Sequence, residues 1–456
     1  MRITAITFRA VGAALLLFQC ARAVLAEGPL DPSFGEGTPP YGPTGVFDYE
    51  WSTKPASPVG MVQDDKGRLI VAASYANQIC VSRQREDGYC DSQFGNNGFS
   101  TDFVHVDSNN QAWASAVAID HQNRIVIGGG VNSTDSCGDG DGGSYRGLVI
   151  LRVLDGSGAD GKADSSFGTF GISYYGDCTF STDAAADIAI GADDTIVTIG
   201  SKYSSSTAAA LLVKWKADGN LDENFGGSGS VVYAAAEHGR SLTIDSQGRI
   251  VAALERYDGL GLHGSLVRFT PLGDLDTTFG VDGIVDLGDL SDKSSLAYAN
   301  VCCVRLDSAG RIVVAAQTAS SPTGSLHTEL MVARFSEDGL PDPTFGTRGN
   351  VLFDGNRFIS ISKLSIDAHD RPIIGGTLKS PYSAVVSPVV LQLNLDGTLN
   401  TAAGFGGLFS NEYGFYSLLS SMMAERNGRI VIGAVDYLTD NTALMRYDQV
   451  YADGFD

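Results

Sequence analysis

Three short apolar patterns recur along the chain in fixed order, separated by polar turns. The first ends at or near an acid, as in AVAID (116–120), SLTID (241–245) and KLSID (363–367). A two- or three-residue turn follows, and then the second pattern, as in GRLIVAA (67–73), GRIVAAL (248–254) and GRIVVAA (310–316). The third is a further apolar run, as in VILRV (149–153), SLVRF (265–269) and MVARF (331–335). Each run is short, β-branched or aliphatic, and bounded by Gly, Asp or Asn, which predicts strands joined by tight turns. A fourth short run, such as GIVDL (283–287), completes the unit.

Between the third and fourth runs stands one punctuation mark. It reads LDTTFGVDG at 275–283, with relatives at 30–37, 90–98, 163–171, 221–229 and 341–349, and a worn form, LNTAAGFGG, at 399–407. Its Phe recurs about every 62 residues from Phe34 to Phe405. Four antiparallel strands repeated seven times predict an all-β fold, a seven-bladed β-propeller. The chain opens on a fourth-type strand near 45–49 and closes after a third-type strand at Tyr447. The N-terminal strand is therefore expected to complete the last blade, which removes an exposed sheet edge. An open β solenoid is the other arrangement, but it would need capping units that the sequence does not show.

D-x-x-F-G-x-x-G followed by D-x-x-G-R-I-V-V-A resembles the delta-60 repeat of secreted bacterial proteins, itself similar to NHL-type propellers. The resemblance spans roughly residues 30–450. It implies a scaffold and no common activity. The third unit departs most, with Asp194-Thr195 in place of Gly-Arg.

Charge covaries inside the repeat. An Arg in the third strand is followed eight residues later by the Asp of the mark: Arg83 and Asp91, Arg268 and Asp276, Arg334 and Asp342. Lys214 and Asp222 keep the charges, and Arg152 and Asp164 keep the types across an insertion. One unit changes both partners, to Gln392 and Asn400. Joint loss predicts a direct contact, because a lone buried charge is costly. The expected role is structural.

Residues 1–26 read as a secretory signal peptide, with Arg2 and Arg9 ahead of a short apolar core (10–18) and a small-residue site ending at Ala26. Residues 27–456 are then one propeller domain in a secreted, periplasmic or cell-surface setting. No other segment is apolar and long enough to insert in a membrane. A formal net charge of −22 argues against a nucleic-acid partner. A monomer is expected.

The turns between strands one and two, and between three and four, are short and uniform, and lie on one face. The remaining loops are long and varied, and lie on the other. Function is expected there. These loops concentrate Trp51, Trp113, Tyr174, Tyr175, Tyr298, Phe358, Tyr413 and Tyr416, a set suited to a carbohydrate or protein ligand. Plugging gaps between blades is the plainer role for any one ring.

Other chemistry is sparse. GSGADGK (156–162) has phosphate-loop spacing, but Ala163 replaces the metal-binding hydroxyl and no helix follows. Six His are scattered, and Asp120, Asp245, Asp307 and Asp367 sit in repeated turns that suit a turn role. Asp135, Asp139 and Asp141, and the turn 155–164, could offer oxygens to Ca²⁺, but neither completes a calcium loop. Disulfide candidates are Cys137 with Cys178, and Cys80 with Cys90. Adjacent Cys302 and Cys303 form either a vicinal pair or two thiols on opposite faces. No catalytic residue is assigned. The expectation is a non-enzymatic binding scaffold, ahead of a metal-dependent hydrolase or lactonase-like enzyme at the channel mouth, or a structural envelope component.

Overall fold

A computed structural model describes residues 57–75, 77–100, 110–133, 145–156, 160–176, 184–204, 207–257, 262–290, 298–320, 327–354, 358–379, 386–401, 417–436 and 441–448, with shorter pieces at 30–31, 33–35, 46–48, 50–51, 54–55, 181–182 and 408–410. Seven antiparallel sheets follow one another as the blades of a propeller, with each chain segment stepping outward from an inner to an outer strand. Blade four is representative, with strands His238–Ile244, Ile250–Tyr257, Leu262–Phe269 and Ile284–Asp286. Blade seven contains Ser417–Ala424, Ile430–Asp436 and Asn441–Tyr447, and its fourth strand is Val46–Asp48 from the start of the chain. Val46 pairs with Met445 and Asp48 with Ala443, so the two ends close the ring as expected.

The second strands explain the apolar runs. Leu69–Ala73, Ile250–Glu255 and Ile312–Ala316 are buried continuously, because a strand inside a blade has a neighbouring blade on each face. Seven core clusters follow, one at each junction between adjacent blades. Phe34, Val431 and Leu444 meet Met61 and Val71 where blade seven joins blade one.

The recurring mark is the joint of this ring. Arg268 is fully buried, and its Nε donates to Asp276 Oδ2 at 2.7 Å. The other oxygen of Asp276 caps its own turn, accepting from the Thr278 backbone N–H and hydroxyl. Phe279 stacks on the same guanidinium at 4.8 Å, a cation–π contact. Arg268 Nη1 then donates to the Glu337 carbonyl in the next blade, and Gly280 N donates to Asp338 O there at 2.9 Å. One mark therefore caps a turn, neutralises a buried cation and stitches two blades together. Arg83–Asp91 (2.9 Å), Arg152–Asp164 (2.8 Å) and Arg334–Asp342 (2.8 Å) repeat the pair, and Lys214–Asp222 is looser at 3.4 Å. Gln392 and Asn400 bond at 3.0 Å without charge. The same joint closes the ring: Arg446 Nε donates to Asp31 Oδ2 at 2.7 Å and stacks on Phe34. That pair escaped the eight-residue rule because 415 residues separate its partners.

The joint leaves no room for a side chain where blades touch. Gly339 has φ +80°, and a Cβ there would stand 2.8 Å from the Phe279 ring. In the third unit Asp194 takes the left-handed position (φ 60°) that Gly67, Gly248, Gly310 and Gly428 hold in four other units and Asn123 and Asp370 in two. Its carboxylate accepts from the His121 backbone at 2.9 Å and from Gln122 Nε2 at 2.9 Å, so the departure became another link between blades.

Replacing Asp276 by Asn leaves buried Arg268 without its counter-charge and should cost roughly 3–5 kcal/mol. Asp31→Asn should cost a similar amount despite its distance in sequence. Adding Arg268→Gln to Asp276→Asn should restore part of the loss, following Gln392 and Asn400. Urea unfolding of the single and double variants measures all three, and an additive double variant would refute direct pairing.

Burial alone would raise the carboxyl pKa values of Asp31, Asp91, Asp164, Asp276 and Asp342. Bonds from the turn and the paired Arg outweigh it and hold all five below the ordinary value. A depressed folded pKa contributes stability above the unfolded value of about 3.9 and loses it as pH falls through the folded value. The melting temperature should therefore fall steeply below about pH 4, and less steeply in Asp276→Asn than in the parent.

Candidate functional site

The inner strands surround the channel, and six of the seven carry a β-bulge at one level. The extra residues are Val59, Ser115, Arg240, Cys302, Ser362 and Ser420. Each stands five residues before the turn acid of its repeat, at Asp64, Asp120, Asp245, Asp307, Asp367 and Glu425. In blade three the inner edge is interrupted: Ser181–Thr182 and Asp187–Ile190 both pair with the second strand. A bulge breaks strict alternation and re-aims side chains. Five of these residues, Val59, Ser115, Arg240, Cys302 and Ser362, line one cavity in the channel and form a largely polar belt.

The belt bounds a cavity of about 170 Å³ lined by Ser115, Asp187, Arg240, Ser241, Arg305 and Lys363. Arg305 Nη1 donates to Asp187 Oδ2 at 2.9 Å, to Ser241 Oγ at 3.1 Å and to Val304 O at 2.8 Å. The Ser241 hydroxyl donates to the same Asp187 oxygen at 2.6 Å. Lys363 Nζ donates to the Val59 carbonyl at 2.9 Å, across the channel wall from blade six to blade one. Burial holds its pKa below the ordinary amine value; Asp187 opposes that shift and Arg305 adds to it. Arg240 reaches back to Glu255, at 2.7 Å from both Nε and Nη2. Glu255 is fully buried, and burial raises its pKa against the pull of Arg240.

The bulge also decides between the two arrangements of Cys302 and Cys303. Strict alternation would have sent them to opposite faces. With Cys302 as the extra residue, the two sulfurs lie against each other beside the belt. Cys80 and Cys90 both pack on the core between blades seven and one. Cys137 and Cys178 lie outside the described residues.

Of the aromatic set, Trp113, Tyr174 and Tyr175 are described with their side chains, and all three belong to blade two. Trp113 sits on an inner strand opposite Gly130, and its ring occupies the space above that glycine, where a Cβ would stand 2.5 Å from Cζ2. Tyr174 and Tyr175 lie on the outer strand of blade two. The Tyr175 hydroxyl bonds Ser230 Oγ of blade three at 2.9 Å, and Tyr174 is 47% exposed. Trp51 lies in a small two-stranded hairpin, and Tyr298 and Phe358 begin the inner strands of blades five and six. Tyr413 and Tyr416 lie outside the described residues, as does much of the variable-loop face.

The repeated turn acids serve their turns. Asp120, Asp245, Asp307 and Asp367 each accept from a backbone N–H two residues on and from the Arg four residues on, with Nε–Oδ2 distances of 2.6–2.7 Å. In the turn considered for Ca²⁺, Asp155 and Asp160 are already engaged by cations. Arg68 Nη2 lies 2.9 Å from Asp155, and Arg83 pairs with both acids. Those carboxylates belong to the joint between blades one and two. Asp135, Asp139 and Asp141 lie outside the described residues. Among the described residues, no three His, Cys, Asp or Glu side chains form a group able to hold a metal ion. No helix among them is long and apolar enough to cross a membrane.

No family model matches the chain, and no curated protein matches it. Solved structures do resemble it in shape. The polysaccharide lyase Uly1 covers 92% of this chain and 97% of its own, at 11% identity and a TM-score of 0.46. Virginiamycin B lyase from Staphylococcus aureus, solved with quinupristin, covers 88% and 99%, at 8% identity and a TM-score of 0.41. Drosophila Semaphorin 1b, extracellular domains 1-2, covers 93% and 88%, at 8% identity and a TM-score of 0.44.

Proposed function

We propose that this protein is an extracytoplasmic glycan-binding module, a delta-60-like propeller whose ligand enters the channel from the variable-loop face and ends on the bulge belt. The observation that carries this reading is the level of the bulges. Six strands place an extra residue at the same depth, Ser in three of them and Val, Arg and Cys in the others, while the surrounding scaffold repeats. Ser362 stands there beside Arg and Lys donors, while the Ser115 and Ser241 hydroxyls are held by Ala185 O and Asp187. Sugar recognition needs such a mixture of short, fixed donors and acceptors in a concave site.

An enzyme at the channel mouth is the second reading. A metal-dependent hydrolase would need carboxylates, Asn or His converging from several inner strands. The acid that lines the belt, Asp187, is bound to Arg305 and Ser241. Turnover of a bound glycan by purified protein would replace the binding reading with this one.

Filling the belt tests the proposal. Ser362→Phe should weaken glycan binding at least about tenfold in calorimetric titration, with melting unchanged. Binding that survives Ser362→Phe but disappears in Trp51→Ala would move the site from the channel to the loop rim.

A further inference from the structure

We infer that the belt contains a carboxylate subsite, formed by Lys363 and Arg305 with Arg240 behind them, that selects an acidic sugar residue such as a hexuronate. The inference rests on the glycan reading of the channel and names the class of glycan. Three cations line the cavity; Asp187 pairs with Arg305 and Glu255 with Arg240, which leaves Lys363 as the cation in excess. The chain as a whole carries a net charge of −22, so this local excess runs against its background.

The donors are unevenly spent. Lys363 uses one of its three N–H groups on a main-chain carbonyl and has no acidic partner within ion-pair distance among the described residues. Arg305 makes all its bonds among the described residues through Nη1, which leaves the Nε–Nη2 edge open. That edge is the fork that grips a carboxylate with two parallel bonds. Both oxygens of an incoming carboxylate could be held there, with the Lys363 ammonium as the adjacent charge. Burial depresses the Lys363 pKa, and a bound carboxylate would supply the counter-charge the site lacks. Arg240 is held on Glu255 and contributes field rather than the grip. The cavity of about 170 Å³ has room for one sugar ring at this position.

The test is a pair of titrations on the full chain, with an oligogalacturonate and with a neutral oligogalactoside of equal length. The acidic oligomer should bind at least about tenfold tighter. Lys363→Met should erase that preference, and Lys363→Arg should keep it, with melting curves recorded for both. Equal binding of the two oligomers by the parent protein overturns the carboxylate subsite and leaves the glycan reading standing. No binding of either overturns both. The comparison on the parent protein is decisive even if a Lys363 variant fails to fold.

Discussion

A buried guanidinium is the constraint on which the ring depends. Each third strand ends where its blade meets the next, and in five blades an Arg that is nearly or fully excluded from solvent stands there. Such a charge is tolerable only with a fixed counter-charge and full use of its donors. The Asp of the mark supplies the first, the Phe covers the cation's face, and the next blade's turn carbonyl takes an outer N–H in several joints. The requirement propagates. The Asp must sit in a capped turn, the turn needs left-handed glycines, and the neighbouring blade must approach closely. Blade six shows the alternative: with Gln392 and Asn400 there is no buried cation to house, and Gln392 bonds Asn400 and the Asp367 carboxylate instead.

The two faces of the propeller answer to different physics. On the uniform face the turns are tied to the joints and to one another. Arg311 of one motif lies 3.7 Å from Asp342 of the other, and Arg429 lies 3.5 Å from Asp31. A substitution there disturbs several bonds at once, which accounts for the uniformity. Inside the channel the bulge residue has no cross-strand partner to satisfy. Its side chain can change from Val to Ser to Arg to Cys without disturbing the ladder beside it. Freedom to vary and access to the channel thus coincide at the bulge residues of five blades.

The strands, their order, the seven-fold count and the closing N-terminal strand were all legible, because local periodicity and turn chemistry repeat with little change. The Arg–Asp pairs were legible through covariation between units, except Arg446–Asp31, whose partners come from opposite ends of the chain. The belt was missed. Its residues lie at a constant offset before the turn acid, and polar residues at 115, 240, 362 and 420 in otherwise apolar segments were the available signal. A bulge, however, is a relation between two strands, and nothing in one strand's alternation announces it.

Sequence alone determined the architecture, because each blade is a local object whose pattern recurs seven times and whose ends must join to avoid an open edge. Only the tertiary structure decided where chemistry gathers. Closing the ring brings together Asp187, Arg240, Arg305 and Lys363 from four different blades. Their meeting depends on the depth of the bulges and the radius of the ring, neither of which is encoded in any single repeat.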